Sequence, residues 1–137
     1  MKGKLIWSVF WALVGIFVVI VCLFLIPVFR GSIFLWFITV SGATFFLLGV
    51  ALIFLTVKGK VRGMLKKFLL LTGASATGIF VFVLLHNAIY ALFVHFFGTE
   101  FWNGGDEPFF FIMAIFVCPI GFLVGAVGSI VLRHKEA

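Results

Sequence analysis

Residues 68–97 read FLLLTGASATGIFVFVLLHNAIYALFVHFF, thirty positions without one Asp, Glu, Lys or Arg. About 20 apolar residues wound as an α-helix cross a hydrocarbon core about 30 Å thick. A membrane barrel strand would instead show about 10 residues of alternating polarity. The stretch therefore reads as a membrane-crossing helix. Working outward from it, Ile33–Val57 and Leu5–Val28 precede it and Phe109–Leu132 follows, again without an acidic or basic residue. Helices are expected at about 5–28, 33–57, 68–97 and 109–132. The composition agrees, with 65% hydrophobic residues, only 10% charged residues and a mean hydropathy of +1.39. A soluble domain carries about 25% charged residues, so this alphabet cannot make a water-solvated surface. The expectation is one all-α domain over residues 1–137: a polytopic integral membrane protein, built as a four-transmembrane-helix bundle surrounded by the lipid bilayer.

The charges between the runs give the orientation. Lys2 and Lys4 precede the first run, Lys58, Lys60, Arg62, Lys66 and Lys67 separate the second from the third, and Arg133 and Lys135 follow the fourth. Four crossings put these three segments on one face, leaving Arg30 with Glu100, Asp106 and Glu107 on the other. Basic loops stay cytoplasmic, so both termini are expected inside a cell membrane and both hairpins outside. The net charge of +6 then splits into +8 inside, where Glu136 offsets one of nine basic residues, and −2 outside. Charge held against a membrane is no signature of nucleic-acid binding. The segment Lys58–Lys67, KGKVRGMLKK, reads as a topology determinant that also attracts anionic lipid headgroups, at about 1 kcal/mol per basic residue. The first run is about twice the length of a signal-peptide core and lacks a small-x-small cleavage site, so it reads as a retained helix.

Local signals place the ends. Phe29-Arg30-Gly31-Ser32 after Pro27 is a link short enough to force an antiparallel hairpin. Trp7, Trp11 and Trp36 sit where an indole, apolar in body with one N–H, anchors at a membrane interface. In the other outer link, Asn103-Gly104-Gly105 marks a turn, and Asp106-Glu107-Pro108 reads as a helix start. Phe101 and Trp102 are expected to dip into the outer interface. Pro119 removes a hydrogen bond to the Ile115 carbonyl, so a kink or a freed carbonyl is expected there.

Small residues mark helix packing. Gly121, Gly125 and Ser129 recur at i, i+4 and i+8 on the fourth helix, and Gly73 falls four before Thr77 on the third. Without a hydrophobic drive between helices in lipid, close backbone approach across such residues supplies the attraction. The stripe does not say whether its partner lies within the chain or on another copy.

Polar residues inside the runs form the candidate site. His86, Asn87 and Tyr90 project toward one side of the third helix, and rise arithmetic puts Ser41, Thr44 and Cys118 at a similar depth. An ionisable residue in a membrane is by default a functional hypothesis, whether proton relay or contact with an ion or substrate. The competing reading is interhelical glue, His86 and Asn87 bonded to the Ser41 or Thr44 hydroxyls. Glu100, Asp106 and Glu107 make an outer acidic loop near His95, without the ligand spacing of a metal site. Cys22 and Cys118 are not in a C-x-x-C and read as thiols packed like small hydrophobes.

Several chemistries lack their residues. Catalysis needs titratable groups converging on a point, and histidine is the only acid or base within the four runs. A bis-histidine haem needs a second histidine at the depth of His86. The embedded glutamate of small multidrug exporters is missing too. No enzyme activity, cofactor or metal is therefore expected. Two functions stand open: a non-catalytic structural or accessory subunit or homo-oligomeric module, associating through the Gly121/Gly125/Ser129 face or in a larger membrane complex; or a small channel or transporter whose path passes His86, Asn87 and Tyr90.

Overall fold

A computed structural model describes residues 2–26, 31–102 and 108–136. Among these residues the fold is helical throughout. Helix α1 (Lys2–Leu25), α2 (Ser32–Lys58) and α3 (Gly63–Phe97) are followed by a 3-10 turn at Thr99–Trp102. Helix α4 (Pro108–Ile112) then passes through a π-helical turn, Met113–Val117, into α5 (Cys118–Glu136). Four segments are long and apolar enough to cross a membrane: Gly3–Leu25, Ser32–Lys58, Gly63–Phe97 and Pro108–Lys135.

The ends follow from local chemistry. Helix α1 stops at Leu25, three residues before the expected Val28, because Ile26 precedes Pro27 and a residue before proline disfavours the helical region. Helix α3 begins at Gly63, five residues before Phe68, and so takes in Lys66 and Lys67. Lysine is a good helix former whose stem can lie along apolar surface while its ammonium reaches water. At its other end Gly98, at φ 86°, donates its N–H to Val94 O at 2.9 Å and turns the chain out of the helix. Helix α4 begins at Pro108, where the missing N–H costs nothing.

Pro119 acts on the turn before it. The turn Met113–Val117 is wound one residue wider than an α-helix and closes with the Cys118 N–H on Met113 O. The expected disturbance thus takes the form of a π turn.

The first turns of α1, the last turns of α5 and the link between α2 and α3 lie at one end of the bundle. Ile6 of α1 approaches Gly59 of that link, and Arg133 of α5 lies over the Trp7 ring of α1. We call this the basic end. Nearly all close packing sits in the half of the bundle nearest it. Buried residues fall within 6–13, 45–56, 69–76 and 114–129, and none of the described residues in 14–44 or 77–113 is buried. The core there joins Ile6, Phe10 and Leu13 of α1, Phe45 and Leu52 of α2, Leu69 and Ala76 of α3, and Phe122 and Ala126 of α5.

Glycine placement explains the asymmetry. A Cβ at Gly49 would lie 3.0 Å from Gly73 O, and one at Gly73 would lie 3.0 Å from Gly49 O, so α2 and α3 touch backbone to backbone. A Cβ at Gly125 would lie 2.8 Å from Thr72 N and 2.9 Å from Phe68 O, which brings α5 equally close to α3. In the other half, a Cβ at Gly42 or Gly78 would meet side chains first rather than backbone, so the helices there do not touch backbone to backbone at these glycines. Phe96, Phe97, Phe109 and Phe116 are all exposed there.

Candidate functional site

His86 is half-buried on the side of α3 that faces α4, its ring centroid 5.5 Å from that of Phe111. One turn before it, Phe82 stacks on Phe110 at 5.9 Å. A groove of about 190 Å³ opens here, lined by Val83, His86, Phe111, Ala114 and Ile115. Two of these, Ala114 and Ile115, belong to the π turn. The histidine thus stands beside the π-helical interruption, within an apolar wall.

The other polar residues do not share that point. Asn87, one residue on and about 100° around the helix, is exposed, while Tyr90 is half-buried one turn above His86. Cys118 is buried against α3 at the level of Gly78, where a Cβ would meet its Sγ at 3.0 Å. Gly78 is eight residues from His86, about 12 Å of helix rise. Depth counted from the loops put the two at one level, but α3 has 35 residues and the Pro108–Lys135 span only 28, so equal counts do not mean equal heights. Ser41 and Thr44 belong to the stretch of α2 opposite Phe80, which packs beside Gly42 and on the Phe46 ring at 5.1 Å. The Thr44 hydroxyl donates to Val40 O of its own helix at 2.8 Å and that residue is exposed. Thr39 does the same toward Leu35 O.

At the loop end, Glu100 is exposed on the 3-10 turn and His95 is exposed on α3. Asp106 and Glu107 lie outside the described residues. Phe101 folds back to stack on Phe93 and Phe97, with centroids at 5.0 and 5.3 Å.

The small-residue stripe is engaged within the chain. Gly121 faces Ser75, Gly125 faces Phe68 and Thr72, and Ser129 is fully buried with its hydroxyl donating to Gly125 O at 2.8 Å. Gly73 does the same work toward α2 through Ile53 and Gly49. The stripe, whose partner the sequence left open between this chain and another copy, is covered by α3.

One feature had no sequence signal. The rings of Phe17, Phe122 and Phe45 meet one another, Phe17 on Phe122 at 4.5 Å and Phe122 against Phe45 at 5.3 Å. They bring α1, α5 and α2 together in one aromatic cluster. No family model, curated protein or solved structure matches this chain.

Proposed function

We propose that this chain is a small integral protein of a cell membrane, with both termini cytoplasmic, acting as a non-catalytic structural or accessory module. The observation that carries the reading is the filled core between the helices. Phe10, Leu13, Phe45, Leu52 and Phe122 are each at most 2% exposed. A path for ions or solutes down a single copy would have to run where these side chains stand, and close-packed interiors leave few voids larger than a water molecule. The titratable His86 lies to one side, against α4. Association, in this reading, uses the unburied half of the bundle, since the glycine stripe is spent on α3.

A second reading, a small transporter, draws support from the groove beside His86, because π turns occur often at functional sites. Such a path would run along the periphery and need a second copy to enclose it. Reconstitution distinguishes the two. Vesicles holding the protein should pass protons and potassium no faster than empty vesicles. Flux that appears with the protein and vanishes in His86→Ala would replace the module with the transporter.

A further inference from the structure

Lys4, Trp7 and Trp11 recur at i, i+3 and i+7 along α1, and Ile130, Arg133 and His134 recur at i, i+3 and i+4 along α5. Each set occupies one stripe of its helix. The stripes meet because Arg133 Cζ lies 4.2 Å from the Trp7 ring centroid. Between them is a groove of about 290 Å³ lined by Trp11, Ile130, Arg133 and His134. Its wall changes character along the bundle axis. Trp11 and Ile130 are the deeper, apolar part, Arg133 and His134 form the mouth, and Lys4 lies on the same stripe nearer the basic end. Trp11 and Trp7, on whose ring Arg133 rests, are separated by about 6 Å of helix rise. The polar headgroup zone of a leaflet is about 5–7 Å deep, so the groove spans from acyl chains to phosphates.

The geometry points to a binding site for one anionic phospholipid, its phosphate held at Arg133 and His134 and an acyl chain laid along Trp11 and Ile130. The inference rests on the membrane reading proposed above. Arg133 is suited to the phosphate because a guanidinium resting on an aromatic face still presents its N–H edge, whose fork matches two phosphate oxygens. His134 adds an imidazole N–H at the same mouth. A net negative headgroup is favoured over a zwitterionic one because it brings no choline cation to this cationic rim. The site differs from the basic link at 58–67 in having apolar walls as well as charge.

The test uses the full chain purified in a zwitterionic detergent, with bound lipid read by native mass spectrometry after titration with phosphatidylglycerol or phosphatidylcholine. Wild type should retain phosphatidylglycerol about tenfold more strongly, and Arg133→Gln should lose that preference. His134→Asp leaves the Arg133–Trp7 contact in place and puts a repelling charge at the mouth, so it should weaken phosphatidylglycerol several-fold even if Arg133→Gln fails to fold. Lys58→Gln with Lys60→Gln should change nothing. Equal retention of both lipids by wild type would overturn the site, as would His134→Asp binding like wild type. So would a loss in the Lys58/Lys60 variant matching that in Arg133→Gln, which would mean diffuse surface charge. Competition by millimolar inorganic phosphate would assign the mouth to a free anion rather than a lipid. Flotation with pure phosphatidylcholine vesicles, run in parallel, reports on membrane insertion alone, so failure of that reading is seen separately.

Discussion

Replacing Gly125 with alanine adds one methyl group at the closest approach of α5 to α3. Its carbon would lie 2.5 Å from Thr72 Oγ1, 2.8 Å from Thr72 N and 2.9 Å from Phe68 O. Two of the three are backbone atoms, and the Thr72 hydroxyl is held by its bond to Phe68 O at 2.8 Å, so no side chain can swing aside. To bring all three contacts to an ordinary 3.4 Å the helices must part by about 0.5–0.9 Å. A gap of that size forfeits about a quarter to a half of each dispersion contact it opens. A helix face making about 40 such contacts, worth 0.1–0.2 kcal/mol each, then loses about 1–4 kcal/mol, and residual strain adds about 1 more. Alanine returns somewhat under 1 kcal/mol through its helix propensity, leaving a net loss of about 1–4 kcal/mol. Gly15→Ala is the matched control, because nothing lies within 4 Å of its new methyl. It should be neutral or slightly stabilising. Unfolding both variants in mixed micelles with rising sodium dodecyl sulfate, followed by circular dichroism, measures the difference. If Gly125→Ala proved as stable as Gly15→Ala, the backbone contact between α3 and α5 would be refuted.

Gly49→Ala and Gly73→Ala should each destabilise by a similar amount. The double variant should cost less than their sum, because one separation of α2 from α3 relieves both clashes, and a double-mutant cycle reads the coupling. Phe122→Ala removes the buried ring that meets both Phe17 and Phe45 and should cost about 3–5 kcal/mol in the same assay, whereas Phe96→Ala, 69% exposed, should fall within about 0.5 kcal/mol of wild type. Pro119→Ala restores a main-chain donor and should let the π turn tighten to α, turning Phe110 by about 100° away from Phe82. With Cys22 and Cys118 changed to serine, a short thiol crosslinker joining cysteines at 82 and 110 should work before that substitution and fail after it.

The helices were legible because lipid imposes a simple rule, a long run without charge, and because Pro108 and Gly98 punctuate the ends in the usual way. Burial was not legible. Phe122 is 1% exposed and Phe116 is 56% exposed, yet both are phenylalanines in the same apolar run. In a bilayer both environments are greasy, so the contrast between inside and outside that marks a soluble core disappears. The glycine stripe was visible but carried no address, and α3 proved to be its partner only once Thr72 and Phe68 were seen opposite it. For the candidate site, depth along a single helix was readable to about a turn. Relative height between helices was not, since it depends on how far each rod extends past its neighbours, which is why Cys118 sits two turns from His86. The contact of Trp7 with Arg133 joins residues at opposite ends of the chain, and no local pattern announces such a pair.

That contact bears on how the chain is made. Helix α1 leaves the ribosome before α5, yet Phe17 rests on Phe122 and Trp7 lies beneath Arg133. Until α5 has been made, the nascent protein therefore carries an incomplete seam, open toward whatever insertion factor or lipid surrounds it. Chains halted before residue 118 would keep that seam exposed permanently, giving quality-control proteases a ready means of telling finished molecules from unfinished ones.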